Sequence, residues 1–99
     1  MEIILSATFK QWFQSMRDRR ARARIQARID RFATGNHGDV KPVRDGLFEM
    51  RIDYGPGYRV YYIRQGQLLI VLLNGGDKAS QAKDIEKALL LAKDWRGQQ

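Results

Sequence analysis

Across the short segment Gly35-Asn36-His37-Gly38-Asp39 the hydrophobic period of the chain changes, and neither an all-helical nor an all-strand architecture can hold both periods. Upstream, Phe9, Trp12, Phe13 and Met16 recur at helical spacing. Past the charged step Arg17-Asp18-Arg19, so do Ala21, Ile25, Ile29, Phe32 and Ala33. Residues 9–33 therefore read as a helical hairpin, begun by Ser6 or Thr8 as a cap and ended at Gly35. Downstream, Phe48, Met50, Ile52 and Tyr54 alternate with Glu49, Arg51 and Asp53, the two-residue period of a half-buried strand. Gly55-Pro56-Gly57 forces a turn, Tyr58 to Arg64 reads as a strand, Gln65-Gly66-Gln67 as a second turn, and Leu68 to Leu73 as a fully apolar strand. Gly75-Gly76-Asp77 is expected to end this meander as a turn. A last helix then runs from about Ser80 to Trp95, with Ile85, Ala88, Leu89 and Ala92 on one face. With Met1 to Leu5 as an N-terminal strand the order is β-α-α-β-β-β-β-α. The expectation is an α+β fold, a twisted antiparallel sheet covered by helices on one side.

Parity gives the hairpin around Pro56 an expected register. Opposed side chains share a face, so if Met50 and Ile52 face the core, Val60 and Tyr62 do too, with 52 opposite 60 and 50 opposite 62. Arg51 then falls opposite Tyr61 and Asp53 opposite Arg59, on the face away from the helices. One side of the sheet is expected to be basic and aromatic.

Ninety-nine residues, 43% of them hydrophobic, suit one domain with a real core. The absence of cysteine excludes disulfides, thiolate metal sites and a cysteine nucleophile. The N-terminal Met1-Glu2-Ile3-Ile4-Leu5 lacks the pattern of a signal peptide, and no apolar run is long enough for a membrane span, so a cytoplasmic location is expected. Charge narrows the class further. Eighteen Lys and Arg against eleven Asp and Glu give +7 and a pI near 10.1. Twelve of the eighteen are arginine, whose planar fork suits phosphate. A membrane surface would call for lysines on an amphipathic helix or a lipidation signal, and neither is present. The expected partner is a nucleic acid.

Two basic groups are candidates for contacting it. On the second helix, Arg20, Arg24, Arg28 and Arg31 form a stripe at about one-turn spacing, within a segment holding seven arginines and two aspartates. So little acidic compensation favours polyanion binding over a merely solvated face. On the sheet, Arg51, Arg59 and Tyr61 share a face, with Lys78 just beyond the last strand. Two arginines can clamp a phosphate and stabilise charge on pentacovalent phosphorus, and a tyrosine can stack a base. Arginine does not usefully release its proton, so proton transfer falls to Lys78 or Tyr61, and the neighbouring arginines favour its loss. His37 is the only histidine, which excludes a two-histidine acid–base mechanism; it reads as a loop residue of no chemical importance. Asp39, Asp45, Glu49, Asp53 and Asp77 have no metal-ligand spacing, and no cofactor or metal is expected.

The run GNHGDVKPVRDGLFEMRIDYGPGYRVYY, followed by LLNGGDKASQAKDIEKA, resembles the HigB-like branch of the RelE/ParE toxin superfamily, the addiction-module killer proteins of type II toxin–antitoxin systems. The similarity extends from Phe9 through Ala92. It implies a RelE-like fold and a ribosome-dependent mRNA endoribonuclease (an mRNA interferase) that blocks translation, acting by attack of the 2′-hydroxyl on the adjacent phosphate. Carried over by motif, Arg51 is the arginine of E-M-R-I, Arg59 that of Y-R-V-Y, and Lys78 ends G-G-D-K; Tyr61 sits two residues beyond Arg59. The implied partners are the ribosome with its mRNA and a cognate antitoxin, HigA-like and of helix-turn-helix type, through which alone operator DNA would be reached. The same superfamily contains ParE-like inhibitors of DNA gyrase, and a non-catalytic co-repressor is a third possibility.

Overall fold

The computed structural model describes residues 1–98. Its elements are β1 (Glu2–Leu5), α1 (Ala7–Ser15), α2 (Arg19–Ala33), β2 (Val40–Arg44), β3 (Leu47–Ile52), β4 (Tyr58–Gln65), β5 (Leu69–Asp77), a 3-10 turn at Lys78–Ser80, and α3 (Gln81–Gly97). The sheet order is β1-β5-β4-β3-β2. Strands β2 to β5 are antiparallel neighbours, whereas β1 joins the edge in parallel, with Glu2 to Leu5 against Leu69 to Leu72.

Local chemistry sets the helix ends. Ser6 caps α1, its Oγ accepting from the Phe9 N–H at 3.0 Å while donating to the Leu73 carbonyl at 2.6 Å, which ties the cap to β5. Asp18, in the charged step between the helices, caps α2 by accepting from the Arg20 and Ala21 N–H groups. The apolar stripe Ala21, Ile25, Ile29 and Phe32 is buried along its whole length. It packs with Phe9 on the sheet face formed by Met50, Ile52, Val60, Tyr62, Ile70 and Leu72.

The opposite face is covered as well, which corrects the expectation of helices on one side only. Leu47, Tyr61, Ile63, Val71 and Leu73 form a second core beneath Ala88 and Ala92 of α3. The physical reason lies in β4 and β5. Both are apolar at consecutive positions, the pattern of strands buried on two faces.

The β3–β4 register also differs from expectation. Ile52 pairs with Tyr58, Arg51 with Arg59, Met50 with Val60 and Glu49 with Tyr61. The inside–outside parity is the expected one, but the pairing slides by two residues, because Asp53 to Gly57 all lie in the loop and its centre is Gly55 rather than Pro56. Asp53 consequently has no strand partner. Gly75 and Gly76 are likewise not a turn: β5 continues through them to Asp77. A Cβ on Gly75 would come within 2.3 Å of the Trp12 ring, and one on Gly76 within 1.8 Å of the Asp84 carboxylate. The two glycines let α1 and α3 close on the strand from either side.

Candidate nucleic-acid interface

Where α3 lies over the sheet, the outward-pointing positions are buried; where it begins, they open. The rung Glu49–Tyr61 lies under cover, while the next rung, Arg51–Arg59, meets solvent at an edge formed by the turn at Lys78. Asp77 sets that turn, its Oδ1 accepting from the Ala79 and Ser80 N–H groups at 2.9 and 3.1 Å. An open cleft of about 360 Å³ results, lined by Arg51, Arg59 and Lys78 together with Asp39, Asp53 and Tyr58. Three of the four side chains expected to carry chemistry thus meet in one place.

Tyr61 is not among them. It is fully buried under α3, its hydroxyl has no hydrogen-bond partner, and burial, followed by the nearby Glu49 charge, pushes its pKa well above the usual tyrosine value. A phenol in that environment neither stacks a base nor exchanges a proton near neutral pH. The expectation assumed an open sheet face and a register that set Tyr61 beside Arg51; α3 and the slide by two residues remove both conditions.

The cleft is also less uniformly positive than its arginines suggest. Arg51 donates through Nε and Nη2 to Asp39 Oδ1 at 3.1 and 2.8 Å, a bond that raises its pKa further. Arg59 donates through Nη1 to Glu49 Oε2 at 3.1 Å. Glu49 is fully buried and also accepts from Gln81 Nε2 at 3.2 Å, with Lys41 Nζ at 3.7 Å from its other oxygen. Each arginine is therefore held by a carboxylate on one edge, and a guanidinium has five N–H donors, so groups remain for a phosphate. Lys78 is exposed and carries no ion pair among the described residues.

Asp39 and Glu49 were the partners that sequence reasoning missed. By its alternation Glu49 reads as an ordinary outward residue of a half-buried strand; only its place in the E-M-R-I motif marks it. Asp39 stood in a loop.

The helix stripe divides in two. Arg28 is a structural clamp: its guanidinium donates to the backbone carbonyls of Arg51, His37 and Asp39, and burial lowers its pKa. It joins α2 to the strand that carries Arg51 and to the loop that carries Asp39. Arg24 lies 4.7 Å over the Tyr54 ring, and Arg31 is exposed; with Arg28 they line a second shallow cleft of about 220 Å³ that also reaches Ile52 and Asp53. Arg20, exposed at the start of α2, lies outside it. His37 stacks on Phe32 with ring centres 4.4 Å apart and serves packing.

With this geometry in view, comparison with known proteins places the chain. The family model for phage-derived protein Gp49-like (DUF891) matches residues 11–94. The chain belongs to the Gp49-like family. An uncharacterized protein of Haemophilus influenzae is 50% identical over 94 residues, covering 95% of each chain. The match to the Gp49-like model takes in both arginine groups, Asp39, Glu49 and Lys78. Among the described residues of this Gp49-like protein, no helix is long and apolar enough to cross a membrane.

Proposed function

We propose that this Gp49-like protein is a RelE/HigB-type toxin that stops translation by cutting mRNA on the ribosome. The observation that carries the reading is the convergence of Arg51, Arg59 and Lys78 on one open cleft at the end of the sheet. In the proposed reaction the 2′-hydroxyl of one nucleotide gives its proton to water as its oxygen attacks the adjacent phosphorus, and the bond from phosphorus to the 5′-oxygen breaks, leaving a 2′,3′-cyclic phosphate and a 5′-hydroxyl. Arg51 and Arg59 hold the phosphate and offset the charge that builds on its oxygens. Lys78 carries three N–H donors, and it hands a proton to the leaving 5′-oxygen. Arg24 and Arg31, with Arg20 beyond them, take neighbouring phosphates. The ribosome supplies the substrate geometry that so sparse a site lacks, and positioning of that kind can contribute about 7–11 kcal/mol. An open cationic cleft also needs a silencing partner, and a cognate antitoxin is the proposed one.

The test is induction of the protein in growing cells, with 5′-end mapping of mRNA and DNA supercoiling followed in parallel. Expected are translation arrest and new mRNA ends within minutes, and neither with Lys78→Ala, a change at an unpaired surface residue. Arrest with intact mRNA and altered supercoiling would replace this reading with gyrase inhibition.

A further inference from the structure

Asp53 lies where the two cationic clefts meet. Together with Ile52 it lines both the Arg51–Arg59–Lys78 cleft and the cleft of Arg24, Arg28 and Arg31. The other two carboxylates near the site are taken, Asp39 by Arg51 and Glu49 by Arg59. Asp53 is exposed and makes no ion pair or side-chain hydrogen bond among the described residues, although arginines line both clefts it borders. It is also freed from strand pairing, because the slide in register leaves it in the loop.

A strand of nucleic acid with phosphates in both clefts must cross this point. A carboxylate there repels phosphate, so something else must face it. Carboxylate oxygens only accept hydrogen bonds, which restricts the partner to a donor, and of the donors on an RNA strand a ribose hydroxyl offers one O–H whereas a base edge can offer a matched pair. Guanine alone presents two adjacent donors, the N1–H and the N2 amino group, to match two oxygens; adenine and cytosine offer one amino group, and uracil one ring N–H. Arg24, over the Tyr54 ring, lines the same groove and is the kind of planar cation on which unpaired bases stack. We infer that Asp53 is a specificity residue that selects guanine next to the bond to be cut. The inference rests on the mRNA-cleavage reading above.

Mapping mRNA breaks in cells making the parent protein, Asp53→Asn or Asp53→Glu tests it. The amide of Asn replaces one acceptor by a donor that opposes those of guanine, whereas Glu keeps the carboxylate. For the parent, guanine should be enriched about tenfold at one fixed position relative to the breaks, the scale of one bidentate base contact. Asp53→Asn should reduce that to about twofold or less, and Asp53→Glu should keep guanine as the preferred base. Breaks without guanine enrichment in the parent, or an enrichment unchanged in Asp53→Asn, would overturn the assignment while leaving cleavage standing. A parent protein that produces no breaks would remove the cleavage reading, and this inference with it.

Discussion

Arg59 and Lys78 border one cleft, yet removing them has different consequences for the fold. Arg59→Ala leaves the buried Glu49 carboxylate with Gln81 and, at 3.7 Å, Lys41 alone, and breaking a buried pair from one side costs up to about 3–5 kcal/mol. Toxicity lost in that variant reports on folding as much as on chemistry. Lys78→Ala should leave stability within about 0.5 kcal/mol, as exposed positions do, and still abolish growth arrest. Urea denaturation beside a growth assay separates the two. Glu49→Met combined with Arg59→Met removes both charges, and should recover most of the stability lost in Arg59→Ala and none of the activity. Tyr61→Phe makes the converse case. Its hydroxyl is buried without a partner, so deleting it should stabilise the protein by about 1 kcal/mol and leave toxicity intact. The pH dependence has a definite sign. Burial raises the folded-state pKa, so above about pH 10, where an unfolded tyrosine ionises, the folded state holds the extra proton and stability falls as pH rises. The Phe variant should show a shallower alkaline slope, with Tyr58 and Tyr62, also raised by burial, supplying the remainder.

Among the elements, β5 depends most on the residues that surround it. Gly75→Ala drives a methyl group into Trp12, which is itself packed against Phe9 and Tyr58, and should destabilise by about 1–3 kcal/mol or more. Gly76→Ala meets the Asp84 side chain, which can swing away only by giving up its bond to Ser80, and should cost less. Thermal denaturation of the two variants gives the order. On α2, Arg28→Ala should lower stability by about 1–3 kcal/mol, since it leaves backbone carbonyls unpaired. Arg24→Glu with Arg31→Glu should leave the fold intact while weakening ribosome binding and flattening its salt dependence, because phosphate contacts release counterions. These contrasts show which parts of the fold the sequence could disclose. The stripes of α1 and α2 and the alternation of β3 are periodic, and periodicity survives any tertiary arrangement. Glycine pairs are not periodic: Gly75-Gly76 satisfies a turn and a crowded strand equally well, and only the positions of Trp12 and Asp84 decide. Parity likewise permits any even slide of a hairpin, so Arg51 and Arg59 could be placed on one face but not on one rung. The burial of Tyr61 and Glu49 followed from α3 crossing to the second face. The doubly apolar β4 and β5 hinted at that crossing, whereas their alternating neighbour β3 pointed the other way.

For the molecule as a whole the remaining question is how the proposed antitoxin would silence a chain of net charge +7. Two seats are to be weighed, the arginine stripe of α2 and an apolar group on α3, Leu90, Leu91 and Trp95. The structure divides the apolar group. Leu91 and Trp95 pack against the second core, and Trp95 donates to Gln65 Oε1 at 3.3 Å. Leu90 is left 66% exposed, and an isolated surface leucine is ordinary rather than a docking patch. Charge then has the larger reach, because a field of one sign steers an oppositely charged partner before contact, whereas apolar burial acts only at contact. Leu90→Asp should accordingly give a folded, toxic protein that the antitoxin neutralises as well as it does the parent. Arg20→Glu with Arg24→Glu should slow capture instead, and the association rate constant of the parent should fall steeply as salt shortens the Debye length from about 10 Å at 0.1 M to about 3 Å at 1 M. Stopped-flow association with the purified antitoxin at both salt concentrations measures this. A rate insensitive to salt, or neutralisation lost in Leu90→Asp, would return the seat to α3.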